Sequence, residues 1–374
     1  MSEWKKTRLG NLISIKGGFS YKGEFIGKGK ALLLGMGCVS FSENFLHSGA
    51  RLYSGHVPNT FVAKPNDIVL ATRQQSDNMP ILGVPAIIPE SLKNETVIVG
   101  TNLYKVENES EVSNNFLFWL LKNIDYRNHI DSCAKGSTVK MITKDAVESY
   151  EFLCPPEKER NLISGTLWSI NNKIDLLHRQ NATLEKMAET LFRQWFVEEA
   201  KKNWDVFKME QLISIGSGKG LKKESFIENG LYPILGANGE IGRTNEFLYN
   251  EKLIFTGRVG TLGNIFRIEN EKVWLSDNTL IIKPLEYFNF IYFLLKNSRL
   301  RDYNAGSTQP LIRQSDVKEI DVVLPPKEVL KEFESFTEGI FRKIKSNRTQ
   351  IRTLTELRDT LLPKLMSGEV RVEV

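Results

Sequence analysis

The feature that most constrains this chain is that it states one plan twice. Trp4 to Ile15 reads W-x4-L-x2-LISI and Trp204 to Ile215 reads W-x4-M-x2-LISI, an offset of 200. Further along, DIVLATR (67–73) aligns with KLIFTGR (252–258), which sets Arg73 against Arg258. LLKN recurs at 120–123 and 294–297, GST at 136–138 and 306–308, and Pro-Pro at 155–156 and 325–326. The offset has by then settled at 170, so the first copy carries 30 extra residues ahead of its GST turn. A duplicated unit of this length must appear twice in the fold.

Four segments follow. Residues 1–152 and 204–322 mix β-type runs such as VIVGTNLYKV and NTLIIKPL with Gly turns and one apolar helical stretch each. This is the texture of an α+β fold, and it predicts two globular heads in pseudo-twofold repeat. Each head ends in an apolar run and Pro-Pro, which is tolerated just before a helix but not inside one. Residues 153–203 and 323–374 then open into long charged segments.

Those segments carry a heptad seam. In the first it runs Ile163, Leu167, Ile170, Ile174, Leu177, Asn181, Leu184, Ala188, Leu191 and Trp195. In the second it runs Phe333, Thr337, Ile340, Ile344, Asn347, Ile351, Leu354, Arg358, Leu361 and Leu365. Steps of four and three over so many positions predict coiled-coil-like helices of roughly 50 Å each. An antiparallel register in which residue numbers sum to 528 uses every seam position. Ile163 then faces Leu365, Ile174 faces Leu354, Trp195 faces Phe333, and the polar Asn181 meets Asn347. The helices would be a rigid spacer between the heads.

Catalytic constellations are missing from the sequence. There is no Walker A loop, G-x-S-x-G or strand-linked G-x-G-x-x-G, and CPP and LPP lack the aromatic of an amino-methyltransferase motif. Cys38, Cys133 and Cys154 lie far apart and odd in number, and His47, His56, His129 and His178 have no metal-binding spacing, so neither a disulfide framework nor a metal site is expected. The N-terminus lacks an apolar signal region and no apolar run is long enough to span a bilayer, which places the chain in the cytoplasm.

Polar clusters suit DNA instead. Arg73, Gln74 and Gln75 end an apolar strand, and Arg and Gln read guanine and adenine through bidentate bonds in the major groove. Arg258 ends the matching strand. Lys219, Lys222 and Lys223 sit in the loop GSGKGLKK, while Lys16, Lys22, Lys28 and Lys30 fill that region of the first half, all suited to phosphates. The turn Gly136-Ser137-Thr138 has Lys135 and Lys140 beside it; Gly306-Ser307-Thr308 has Gln309 and Arg313. Asn238 and Arg243 complete the candidate set. The aromatic runs 116–119 and 288–293 have helical spacing among Leu and Ile and belong to the core. A net charge of +5 allows a DNA partner without requiring one.

Taken in order, the paired W-x4 starts, GSTVKMI with GSTQPLI, LCPPEKER with VLPPKEVL, and LEKMAETLFRQWF with LTELRDTLLPKLMSGEV resemble the specificity (S) subunit of a type I restriction-modification enzyme over essentially the whole chain. The resemblance implies that each head reads one half of a split double-stranded DNA site. It implies that the helices set the gap and dock two modification (methyltransferase) subunits, joined by restriction subunits. It implies no catalytic residue and no cofactor in this chain, with S-adenosylmethionine, ATP and Mg²⁺ held by the partners. One departure is Val139-Lys140 in the first copy where the second has Gln309-Pro310. The competing functions are a bivalent protein-binding scaffold and a stand-alone nuclease or methyltransferase.

Overall fold

A computed structural model describes residues 4–74, 81–136, 139–201, 203–259, 262–298, 300–303 and 311–372. The chain divides into two compact units, Met1–Leu176 with Gln350–Val374, and Leu177–Thr349.

In the first unit, Lys5–Arg8 pairs antiparallel with Glu151–Cys154, tying the beginning of the head to its end. An antiparallel four-stranded sheet follows, ordered Ile13–Gly17, Leu103–Asn108, Ile68–Ala71, Pro85–Ile87. Its central strand Ile68–Ala71 is buried along its whole length, as a run of apolar residues demands. A second sheet, ordered Arg51–Tyr53, Ile26–Leu34, Val97–Val99, Val62–Ala63, includes a parallel pairing of Ile26–Leu34 with Val97–Val99. The helix Asn114–Lys122 starts where the Ser113 hydroxyl accepts from the Phe116 amide at 3.3 Å. Its Phe116, Phe118 and Trp119 enter one core with Ile163, Leu167, Leu362 and Leu365.

The second unit repeats this frame. Asp205–Lys208 pairs with Asp321–Leu324, and the four-stranded sheet is ordered Ile213–Ser217, Thr279–Pro284, Leu253–Gly257, Ile265–Ile268. A three-stranded sheet, Gly239–Thr244, Tyr232–Gly236 and Trp274–Leu275, stands beside it. The aromatic run of the helix Phe288–Asn297 is buried, with Phe290 and Phe293 packed on Phe192 and Phe333. Both aromatic runs are core, as their spacing predicts.

Hydrogen-bond registers fix which residues of the two heads correspond. Ile15 pairs with Val106 and Ile215 with Ile282; Leu103 pairs with Ala71 and Thr279 with Gly257. Gly18 donates to the Leu103 carbonyl at 3.0 Å, and Gly218 donates to that of Thr279 at 3.1 Å. The chain crosses so close at this point that a Cβ on Gly18 would collide with the Gly100 carbonyl, and one on Gly218 with that of Ser276, so neither position admits another residue. The offset is therefore 186 at the strand Ile68–Ala71 and 176 at Leu103–Asn108, so the 30 extra residues are spread over several insertions rather than one.

Two long helices follow the heads, Glu157–Arg193 (37 residues, continued by one π-turn at Gln194–Glu198) and Lys327–Ser367 (41 residues). Pro156 and Pro326 precede them, and their carbonyls accept the first helical bonds from Arg160 and Leu330. Of the seam positions, Ile163, Leu167, Ile174, Leu177, Ala188, Phe333, Thr337, Ile340, Ile344, Asn347, Arg358 and Leu365 are buried, the rest half-buried. At three places the more deeply buried residue is the next one along: Asn171 rather than Ile170, Phe192 rather than Leu191, and Leu362 rather than Leu361. A straight α-helix drifts about 20° per heptad from a 3.5-residue repeat, which moves burial to the neighbouring position. The two seam residues that look like interruptions both find partners. Asn347 Nδ2 donates to Asn181 Oδ1 at 2.9 Å in the second unit, and Arg358 Nη1 donates to Asn171 Oδ1 at 2.9 Å in the first.

Candidate nucleic-acid interface

In the first unit the strand Ile68–Ala71 runs on into Arg73–Gln74, which pairs with Lys140–Met141 so that Met141 faces Arg73 and Lys140 faces Gln74. Lys135 exchanges backbone hydrogen bonds with Met141 at 2.9 and 2.8 Å, which ties it to this ribbon. Arg73, Lys135 and Lys140 are thus gathered on one small exposed element. Tyr104 lies beside it and donates to the Ile142 carbonyl at 3.0 Å; burial raises its pKa and the Arg73 charge opposes the rise. Gln74 is the exception: it is buried, and its Oε1 accepts from the Leu82 amide at 3.4 Å. Alternation along a strand turns Gln74 inward when Arg73 faces out. Gln75, Ser137 and Thr138 lie outside the described residues.

Arg258 does not occupy the place of Arg73. Its amide donates to the Asn278 carbonyl and its carbonyl accepts from Ile312, as those of Thr72 do with Asn102 and Ile142. Arg73 corresponds to Val259, which bridges Leu311 as Arg73 bridges Met141. The sequence alignment was one residue out of register, and a one-residue slip moves a side chain to the other face. Arg258 is exposed, whereas Thr72 is buried.

Arg258 nonetheless stands at a junction of cations. Ile312, held by Arg258, is followed by exposed Arg313, whose amide donates to Asp316 at the start of the helix Gln314–Lys318. Gln314 Nε2 donates to Ser217 Oγ at 3.1 Å, fastening the neck of the Gly-rich loop. Lys219 is held at its backbone by Leu275 and by Trp274 Nε1, which donates to the Lys219 carbonyl at 2.8 Å, so that its side chain is free to project. Trp274 and Gln314 are positioning residues with no local sequence signature, because their partners lie 55 and 97 residues away.

The other candidates are dispersed. Lys22, Lys28, Lys30, Lys222 and Lys223 are exposed, Lys28 and Lys30 within the strand Ile26–Leu34 and the other three at short 3-10 turns, and Lys16 is half-buried within its strand. Asn238 Oδ1, at a hairpin tip, accepts from Asn264. The Arg243 guanidinium is spent on the Gly230 and Leu231 carbonyls and on Glu240, so it holds its own loop together. Ser307, Thr308 and Gln309 lie outside the described residues. Among the described residues there is no cluster of His, Cys, Asp and Glu fit to hold a metal ion, and no helix long and apolar enough to cross a membrane.

Comparison with known proteins bears on both heads. A family model described as the type I restriction modification DNA specificity domain matches residues 1–186 and again 201–356. The chain is similar to the type I restriction enzyme MjaIX specificity subunit of Methanocaldococcus jannaschii, 26% identical over 306 residues, covering 70% of each chain. It is also similar to the HindI specificity subunit of Haemophilus influenzae, 23% identical, covering 99% of this chain and 100% of that one. The crystal structure of a type I restriction-modification S subunit from M. genitalium shares the fold at a TM-score of 0.61 with 19% identity, covering 97% of this chain and 96% of that one.

Proposed function

We propose, from the premise that this chain belongs to the type I restriction modification DNA specificity family, that its two heads each read one half of a split double-stranded DNA target. As a specificity subunit it is not an enzyme; it recognises DNA and assembles the complex. The observation that carries the bipartite reading is the duplicated head, with equivalent sheets bonded in equivalent registers. Two equivalent surfaces with different side chains suit two different half-sites.

In this reading the heads are 1–152 and 204–322, and the helical regions 153–203 and 323–374 pair antiparallel as a spacer. The Asn181–Asn347 bond and the Trp195–Phe333 contact, at 6.0 Å between ring centroids, support the register in which residue numbers sum to 528. Ile163 and Leu365 share a core cluster, which agrees with it. The spacer would dock two methyltransferase subunits, with restriction subunits joining them in the cytoplasm, and those partners would hold S-adenosylmethionine, ATP and Mg²⁺.

A domain exchange tests this. Residues 1–152 are replaced by the head of another specificity subunit, and methylated adenines are mapped by single-molecule sequencing. One half of the split motif should change and the other persist. A variant that scrambles both halves would refute independent reading.

A further inference from the structure

The corrected correspondence between the heads places their charges at different sites. Among the described residues, the exposed cations on the ribbon of Arg73–Gln74 with Lys140–Met141 in the first head are Arg73, Lys135 and Lys140. The residue of the second head that corresponds to Arg73 is Val259, and by the sequence offset of 170 Lys135 and Lys140 match Ala305 and Pro310, which lie outside the described residues; none of the three is charged. Conversely, the second head gathers Lys219, Arg258 and Arg313, where the first has Phe19, Thr72 and Thr143. Among the described residues, each head thus has three exposed cations around this part of its sheet, with no position in common.

From this complementary exchange we infer that each head grips DNA phosphates through its own basic triad, Arg73/Lys135/Lys140 in the first and Lys219/Arg258/Arg313 in the second. The inference rests on the proposed DNA-reading function and adds the sites of backbone contact. The heads therefore approach the duplex with differently placed anchors, which lets one fold present different side chains to the base edges. Backbone hydrogen bonds fix both sets: the Lys135–Met141 exchange in the first head, and the Ile312–Arg258 and Lys219–Leu275 bonds in the second. A phosphate-gripping cation needs such a fixed stem and an exposed head group, since it positions the protein without reading sequence.

The test is the salt dependence of binding by the full-length chain to a mixed-sequence duplex of about 40 base pairs, followed by fluorescence anisotropy from about 50 to 200 mM KCl. Three triple variants are compared with the parent: R73Q/K135Q/K140Q, K219Q/R258Q/R313Q, and a control, K93Q/K331Q/K343Q, at exposed lysines outside both triads. Each lost phosphate contact flattens the slope of log K against log[salt] by about 0.9, so each triad variant should be shallower by about 2–3 units and the control unchanged. Thermal melting should match the parent, because all nine side chains are exposed. A triad variant that keeps the full slope would overturn the assignment for that head. A control that loses as much would overturn both, showing only diffuse charge. A parent chain without salt-dependent binding would instead defeat the DNA-reading function itself.

Discussion

Arg358 and Asn171 form a polar contact deep in the first unit. Arg358 is 6% exposed and Asn171 2%. The guanidinium donates to Asn171 Oδ1 and to Asp359 Oδ1, both at 2.9 Å, and Asn171 Nδ2 donates to Asp175 at 3.3 Å. Arg358→Leu keeps most of the volume but strands the Asn171 carbonyl oxygen in a site closed to water. A hydrogen bond to a charged group is worth about 1.5–3 kcal/mol, and an orphaned buried acceptor costs a similar amount, so the variant should lose about 2–3 kcal/mol. Asn171→Leu leaves the buried guanidinium short of an acceptor and should lose at least as much. Making both changes removes both debts and seats two Leu side chains in the seam, so the double variant should return to within about 1 kcal/mol of the parent. The coupling energy should therefore exceed about 1.5 kcal/mol. Urea unfolding of the full chain measures it through tryptophan fluorescence, since Trp168 stacks on Phe118 at 5.4 Å and meets Trp119 edge-on in the same unit. With a slope of about 3 kcal/mol/M, each single variant should shift the midpoint by roughly 0.7–1 M. Additivity of the two single losses to within about 0.5 kcal/mol would refute the argument, because uncoupled sites behave that way.

Three further outcomes are expected. Burial pushes the Lys122 amine down to about 7, although its Nζ donates to the Phe41 and Glu43 carbonyls, and Arg358 adds to the depression. Between pH 10.5 and about 7 the unfolded chain holds the proton that the folded chain lacks, so stability falls as pH falls through that window and levels off below it. Lys122→Met should accordingly gain on the parent by about 1.4 kcal/mol per pH unit from pH 10 down to 7 in urea titrations, and a constant difference would mean that the amine stays charged inside. Phe192, 1% exposed and ringed by Phe196, Phe290, Phe293 and Phe333, should cost about 3–5 kcal/mol when cut to Ala, read as early loss of hydrogen-exchange protection in residues 177–349 with 1–176 retained. Inserting four residues after Ala182 lengthens the central helix by roughly 6 Å while nearly preserving its facing. The gap in the methylated motif should then grow by one or two base pairs with both half-sites unchanged, and an unchanged gap would remove the helices from the role of ruler.

What the sequence determined by itself is whatever rests on local spacing or on repetition. Duplicated motifs announced two heads, and the four-three steps from Ile163 to Trp195 announced a long helix, because periodicity belongs to the chain and needs no partner. The apolar runs at 116–119 and 288–293 were legible as core for the same reason. Tertiary structure decided everything that depends on which backbone atoms meet across the sheet. Letter matching put Arg258 on Arg73, but the bonds from Asn278 and Ile312 put it on Thr72, and one residue along a strand reverses the face. The inward turn of Gln74, the anchoring of Lys219 by Trp274 and the use of Arg243 on its own loop were likewise invisible, since their partners come from other strands and turns of the fold. Along the long helices, the choice of Asn171 over Ile170 and of Phe192 over Leu191 was made by the packing each head offers, because a heptad names a stripe and the contact surface selects which edge of it is buried.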